Sequence, residues 1–107
     1  MVHAVEAGKV VKATWYGKQF HGRLMANGKP FNMHDPSIVA HKTLPINTLL
    51  IAKNAVNGKT CVVKVQDRGP YNKDSQVAFD FSRAAAERLG FIKDGKARIV
   101  ITVLALG

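Results

Sequence analysis

The sequence predicts a mainly β domain: a small barrel of short strands with one real helix and at most one further helical turn. Three observations lead there. Runs rich in β-branched and aromatic residues recur along the chain. Gly, Asn and Pro punctuate them, at Asn27-Gly28, Asn57-Gly58 and Arg68-Gly69-Pro70. Only one segment carries a full set of helix signals. At 107 residues, 47% hydrophobic and 21% charged, the chain suits one domain with its own core and is no disordered polymer. That domain takes in residues 1–107, with its core over about 10–104.

Val10 to Tyr16 reads as the first strand, being β-branched and aromatic. Gly17 to Thr43 has little regular pattern, and a loop that long in a compact domain is functional or packs across the barrel. Within it a short helical turn is expected over Pro36 to Ala40, with Asp35 as cap and Pro36 at the first helical position. Thr48 to Lys53 is an apolar strand, and Asn57-Gly58 turns the chain into a hairpin with positive φ. Thr60 to Asp67 alternates, so Cys61, Val63 and Val65 share the core face and Lys64 and Gln66 the other. Val77 to Phe81 is a short strand. Ser82 caps a helix through Ala84, Ala85 and Ala86 that ends at Gly90. Ala97 to Leu104 is the last strand. The longest apolar run, Ile99 to Leu106, is broken by Thr102 and falls far short of the roughly 20 residues of a membrane-spanning helix.

Sixteen Lys and Arg face seven Asp and Glu, a net charge of +9. Such a surplus favours a polyanionic partner, nucleic acid or an anionic cell-wall polymer. The basic residues are scattered, with no block of five or six like charges, so a merely solvating basic surface is the alternative. Aromatic residues make up 7% and most read as core, which argues against a base-stacking groove for nucleic acid. Cys61 is the single cysteine, which excludes an intramolecular disulfide and a cysteine-ligated structural zinc. On the face of Val63 and Val65 it is expected to be buried and inert. The first four residues, Met1 to Ala4, carry no signal-peptide pattern.

Asp67 is the leading chemical candidate. Its odd parity on the strand points it to the core side at the strand's end. A carboxyl at the rim of an apolar barrel loses solvation, and desolvation favours the protonated acid that a glycosidic oxygen needs. The competing reading is a turn-forming Asp that binds backbone amides or pairs with Arg68 or Arg83. His41, in Ala40-His41-Lys42-Thr43-Leu44-Pro45, is a catalytic or a structural histidine in a Pro-containing loop. His21, His34 and His41 match no standard metal-ligand spacing, so no metal is expected. Asp80 precedes the helix and either faces the same cleft as Asp67 or serves the helix dipole. Trp15 and Tyr16 are core or sugar-stacking residues.

Trp15-Tyr16-Gly17, Phe20-His21-Gly22-Arg23, Ala26-Asn27-Gly28, Ala40 to Pro45, Asn57-Gly58-Lys59, Asp67-Arg68-Gly69-Pro70, Asp80-Phe81-Ser82 and Ala84-Ala85-Ala86 occur in that order. Together they resemble the rare lipoprotein A (RlpA-like) domain, from about Val10 to Val103. The resemblance implies a six-stranded double-psi β-barrel with one or two short helices, similar in architecture to expansins and to small endoglucanases. It implies a lytic transglycosylase acting on peptidoglycan glycan strands stripped of stem peptides, in the periplasm or cell envelope, as a monomer and without cofactor. Its catalytic residues match Asp67 and His41, and a functional Asp of expansin-like barrels matches Asp80. In this reading Asp67 protonates the N-acetylmuramate–N-acetylglucosamine bond and then takes the C6 hydroxyl proton, which leaves a 1,6-anhydro end. His41 holds Asp67 or the sugar, Arg68 or Arg23 holds the muramate lactyl carboxylate, and Tyr16 and Asp80 also bind substrate. The chain departs from the family pattern at Met25, at Ile38 and Val39, and at Lys29, where an acid beside the cleft is usual. A lysine about 5 Å from Asp67 would weaken a general acid. The alternative is therefore a non-catalytic peptidoglycan-binding module.

Overall fold

A computed structural model describes residues 10–71 and 76–107. Among the described residues lie six strands and one α-helix: β1 (Val10–Tyr16), β2 (Ile38–His41), β3 (Leu49–Asn54), β4 (Thr60–Asp67), β5 (Val77–Ser82), α1 (Arg83–Leu89) and β6 (Lys96–Ala105). The strands form one closed ring in the order β1-β5-β2-β4-β3-β6, and β6 pairs back to β1. Two pairs, β1–β5 and β2–β4, are parallel, and the other four are antiparallel.

The interior is filled by the alternate residues of each strand, among them Ala13, Val39, Leu50, Val63, Val65, Phe79, Phe81, Ile99 and Ile101. Each large apolar side chain buried there contributes roughly 1.5–3 kcal/mol against exposure. Helix α1 lays Ala85, Ala86 and Leu89 on this core. Its ends follow the expected chemistry. The Ser82 hydroxyl accepts from the Ala85 amide, and Gly90 adopts φ 76°, a left-handed cap. The β3–β4 connection turns at Gly58, with φ 77°.

One expectation fails in the stretch before β2. No helix forms over Pro36 to Ala40; Ile38–His41 is strand. The Asp35 carboxylate instead accepts from the Ser37 amide at 2.9 Å and from its hydroxyl at 2.7 Å, a turn that delivers the chain straight into the sheet. All four β2 residues are buried. A strand covered on both faces has no polar alternation, so nothing in its pattern announced it. The irregular stretch itself packs across the outer face of the wall. Met25, Phe31 and Met33 close over Tyr16, Ile38 and Ala40 in a second apolar cluster, separate from the barrel core. A 3-10 turn over Lys18–Phe20 starts this crossing.

Candidate active site

Three strand pairings place four side chains in a line across the wall. Thr14 on β1 stands opposite Asp80 on β5, Asp80 opposite Ala40 on β2, and Ala40 opposite Asp67 on β4. All four line one open cleft of about 660 Å³, a volume within the range of small-ligand sites. Ala40 offers only a methyl group between the two carboxyls. Their strands therefore lie roughly 10 Å apart, at two strand spacings, with room between them.

Asp67 reaches this row through an irregularity. Val39 pairs with Val65, but Ala40 pairs with Asp67, so Gln66 is an extra residue on β4. The parity argument pointed Asp67 to the core side. The extra residue resets the alternation and turns Asp67 to the cleft, on the outer side of the wall with Ala40. Gln66 is held where this happens: its amide nitrogen donates to the Ser37 carbonyl at 3.1 Å, and its side-chain oxygen accepts from Asn27 at 3.4 Å.

Asp67 accepts three hydrogen bonds. The Ala26 and Arg68 amides donate to Oδ1 at 3.0 and 2.9 Å, and the Tyr16 hydroxyl donates to Oδ2 at 3.4 Å. Tyr16 is 8% exposed and stacked on Phe31 at 4.2 Å between ring centroids, so its ring is part of the packing and its hydroxyl orients Asp67. Burial, with the charges of Asp67 and Asp80 added, drives the Tyr16 pKa upward and keeps this donor protonated.

Asp80 differs. Among the described residues its partner is the Thr14 hydroxyl, which donates to Oδ1 at 3.0 Å. Burial pushes its carboxyl up to about 6; the Thr14 bond works against that rise and the Asp67 charge adds to it. The cleft thus holds a carboxyl that keeps a proton into the mildly acidic range beside one held by three donors. Like-charge neighbours in unequal environments are the usual way to separate acid and base roles.

The other sequence candidates divide. Arg68 lines the cleft, and its Nη1 donates to the Leu44 carbonyl at 2.6 Å and the His41 carbonyl at 3.2 Å, pinning the β2–β3 loop. His41 ends β2 rather than lying in a loop, is 4% exposed, and packs on Phe79 at 4.7 Å. Its Nδ1 accepts from the Thr43 and Leu44 amides at 3.1 and 2.9 Å. It does not line the cleft. Arg23 is exposed, its guanidinium 5.7 Å from the Phe20 ring centroid, and it too lies outside the cleft lining. Lys29 is also exposed and does not line the cleft, where the family pattern leads us to expect its side chain beside Asp67. Its turn meets Asp67 through the Ala26 amide instead. Trp15 packs against the core, donates to the Ile92 carbonyl at 3.2 Å, and is also among the residues lining the cleft. Cys61 is buried, and burial pushes its thiol up. His21 accepts from the Met33 amide through Nδ1, and among the described residues no three His, Cys, Asp or Glu side chains gather as metal ligands. Thr14, Ala40, Phe20 and Tyr71 were missed as lining residues; only the pairing register and loop paths bring them there.

Residues 8–101 match the family model described as "Lytic transglycolase". The chain belongs to this family. It is 47% identical over 95 residues to the "Probable endolytic peptidoglycan transglycosylase RlpA" of Aquifex aeolicus, covering 89% of this chain and 41% of that protein. It is 44% identical over 95 residues to the "Endolytic peptidoglycan transglycosylase RlpA" of Vibrio cholerae, covering 89% and 35%. The chain thus spans about two-fifths or less of these curated relatives. Among solved structures, the "Streptomyces papain inhibitor (SPI)" superposes with a TM-score of 0.62 at 23% identity, covering 92% of this chain and 97% of that one, a likeness of fold. The family match agrees with the double-psi barrel and with the motif order from Trp15 to Ala86. No helix among the described residues is long and apolar enough to cross a membrane.

Proposed function

We propose that this domain cleaves peptidoglycan glycan strands as a lytic transglycosylase. The observation that carries this reading is the pair of unlike carboxyls, Asp80 and Asp67, facing one open cleft across Ala40. The relatives named as endolytic peptidoglycan transglycosylases supply the substrate class. Sequence reasoning gave both proton steps to Asp67; the geometry favours dividing them. Asp80, whose proton is held more tightly because it is buried, donates that proton to the bridging oxygen as the bond from muramate C1 to that oxygen breaks. The C6 hydroxyl oxygen of the same muramate then bonds to C1, and its proton passes to Asp67. The products are a 1,6-anhydromuramate end and a free N-acetylglucosamine hydroxyl. No water is consumed, and the proton lost by Asp80 equals the one gained by Asp67.

Tyr16 and the Ala26 and Arg68 amides hold Asp67 for this role. His41 acts as a positioning residue: its ring fixes the loop whose carbonyls receive Arg68. Arg68 remains the candidate partner for the lactyl carboxylate. Such a domain works as a monomer in the periplasm or cell envelope, where its substrate is. The test is incubation with intact and with peptide-stripped sacculi, followed by mass spectrometry. Anhydro ends from the wild type, and none from Asp80→Asn or Asp67→Asn, are expected. Strand binding without any anhydro product would reduce the domain to a binding module.

A further inference from the structure

Two exposed aromatic residues sit on the cleft and have no part in the chemistry above. Tyr71 is 75% exposed and Phe20 is 38% exposed, yet both line the cleft that holds Asp67 and Asp80. Aromatic side chains that line a cleft and remain open to water are free to contact a ligand there. Phe20 meets Tyr16 edge-on at 5.8 Å between centroids and carries the Arg23 guanidinium on its own face at 5.7 Å. The Tyr71 ring stays close to Gly69: a Cβ added there would stand 3.8 Å from Tyr71 Cδ2.

Their positions relative to the carboxyls follow from strand direction. β1 runs parallel to β5, β5 antiparallel to β2, and β2 parallel to β4. β1 and β4 therefore run in opposite senses through the row Thr14, Asp80, Ala40, Asp67. The chain leaves the row after Thr14 towards Phe20 in one direction, and after Asp67 towards Tyr71 in the other. Both rings thus belong to the cleft that holds the carboxyl pair, and the chain segments that carry them leave the row in opposite senses.

A pyranose ring presents a face of C–H groups, and these polarised hydrogens are attracted to the negative face of an aromatic ring. We infer that Phe20 and Tyr71 are two sugar-stacking platforms, one on each side of the bond to be broken, and that they grip neighbouring residues of one glycan strand across the carboxyl pair. This inference rests on the proposed glycan substrate. It assigns the recognition of an uncharged sugar face to residues distinct from those that move protons.

The test uses glycan-strand binding and cleavage as separate readouts. Affinity for peptide-stripped strands is measured by titration calorimetry in an Asp80→Asn background, where nothing is cleaved. Phe20→Ala and Tyr71→Ala should each weaken binding about five- to tenfold. Phe20→Trp and Tyr71→Trp should restore it, whereas Phe20→Leu and Tyr71→Leu, which keep apolar area without a π face, should not. In the active protein the alanine variants should raise KM with a far smaller change in kcat. Wild-type affinity in both alanine variants, with cleavage intact, would overturn the platforms and leave the proposed reaction standing. Binding that depends on both rings in a protein making no anhydro ends would sustain the platforms and overturn the reaction. Leucine variants that bind as well as tryptophan ones would replace stacking by plain apolar contact and also overturn the inference.

Discussion

Asp80 keeps its proton to about pH 6 because its carboxyl is buried, and this gives the pH dependence a sign. A general acid works only while protonated, so kcat/KM on stripped glycan should fall as pH rises through about 6. Thr14→Val removes the hydroxyl that favours ionised Asp80, so the falling limb should move to higher pH. Superimposable pH–rate profiles for the two proteins would place the proton donor elsewhere. The same shift has a consequence for stability. An unfolded Asp titrates near about 3.9, so the folded state binds the Asp80 proton more tightly. That stabilisation is complete below about pH 4 and is lost as pH rises through about 6. Asp80→Asn should therefore stabilise the fold at pH 8, by an amount on the order of 3 kcal/mol, and leave its stability nearly unchanged at pH 4. His41 belongs to the opposite class. His41→Ala would leave the Thr43 and Leu44 amides without their acceptor and open a void beside Phe79. A loss of about 2–4 kcal/mol in denaturant unfolding is expected. His41→Asn, whose side-chain oxygen can replace Nδ1, should recover much of it. The small stability change that a loop histidine suggested is not expected here.

At the scale of the elements, one extra residue in β4 decides where the chemistry faces. Gln66 sits between the paired residues Val65 and Asp67 and ties the crossing segment to the strand through Ser37 and Asn27. Gln66→Ala should loosen that segment, with faster amide hydrogen exchange at residues 26–28 and a loss of about 1–2 kcal/mol. Unchanged protection there would show that the apolar cluster of Met25, Phe31 and Met33 holds the crossing alone. Five of the six strands and the helix were legible, because each has one solvated face or a capping pair that imposes a period. β2 was not, since burial on both faces erases its period. Asp67 was found for a partly mistaken reason: alternation pointed it to the core, and the irregularity that turns it outward has no sequence mark. Asp80 was visible through its place just before the helix cap Ser82, whereas Thr14 and Ala40 became neighbours of the carboxyls only through strand register. Lys29 looked adjacent to the chemistry because its turn is; the turn touches Asp67 by a backbone amide that any residue supplies.

For the whole molecule, the net charge of +9 lies mostly outside the cleft. The cleft lining carries Asp67 and Asp80 with Arg68, so the greater part of the cationic surplus belongs to the rest of the molecule. Removing a stem peptide from muramate frees its lactyl carboxylate, and a stripped strand is then a polyanion with a charge on every disaccharide. A distributed positive surface attracts such a strand over a distance set by salt, about 10 Å at 0.1 M and about 3 Å at 1 M ionic strength. Raising NaCl from about 0.05 M to about 0.5 M should therefore increase KM for stripped strands about fivefold or more, while kcat stays nearly constant. An uncharged oligomer of N-acetylglucosamine meets the stacking rings without the long-range attraction, and its binding should hardly respond to the same change. Equal salt sensitivity for both ligands would mean that ions act on the protein itself. Insensitivity for both would reduce the charge surplus to a solubility device. Charge would bring the strand to the surface, the two rings would set its register, and the buried proton of Asp80 would act only where the strand spans both.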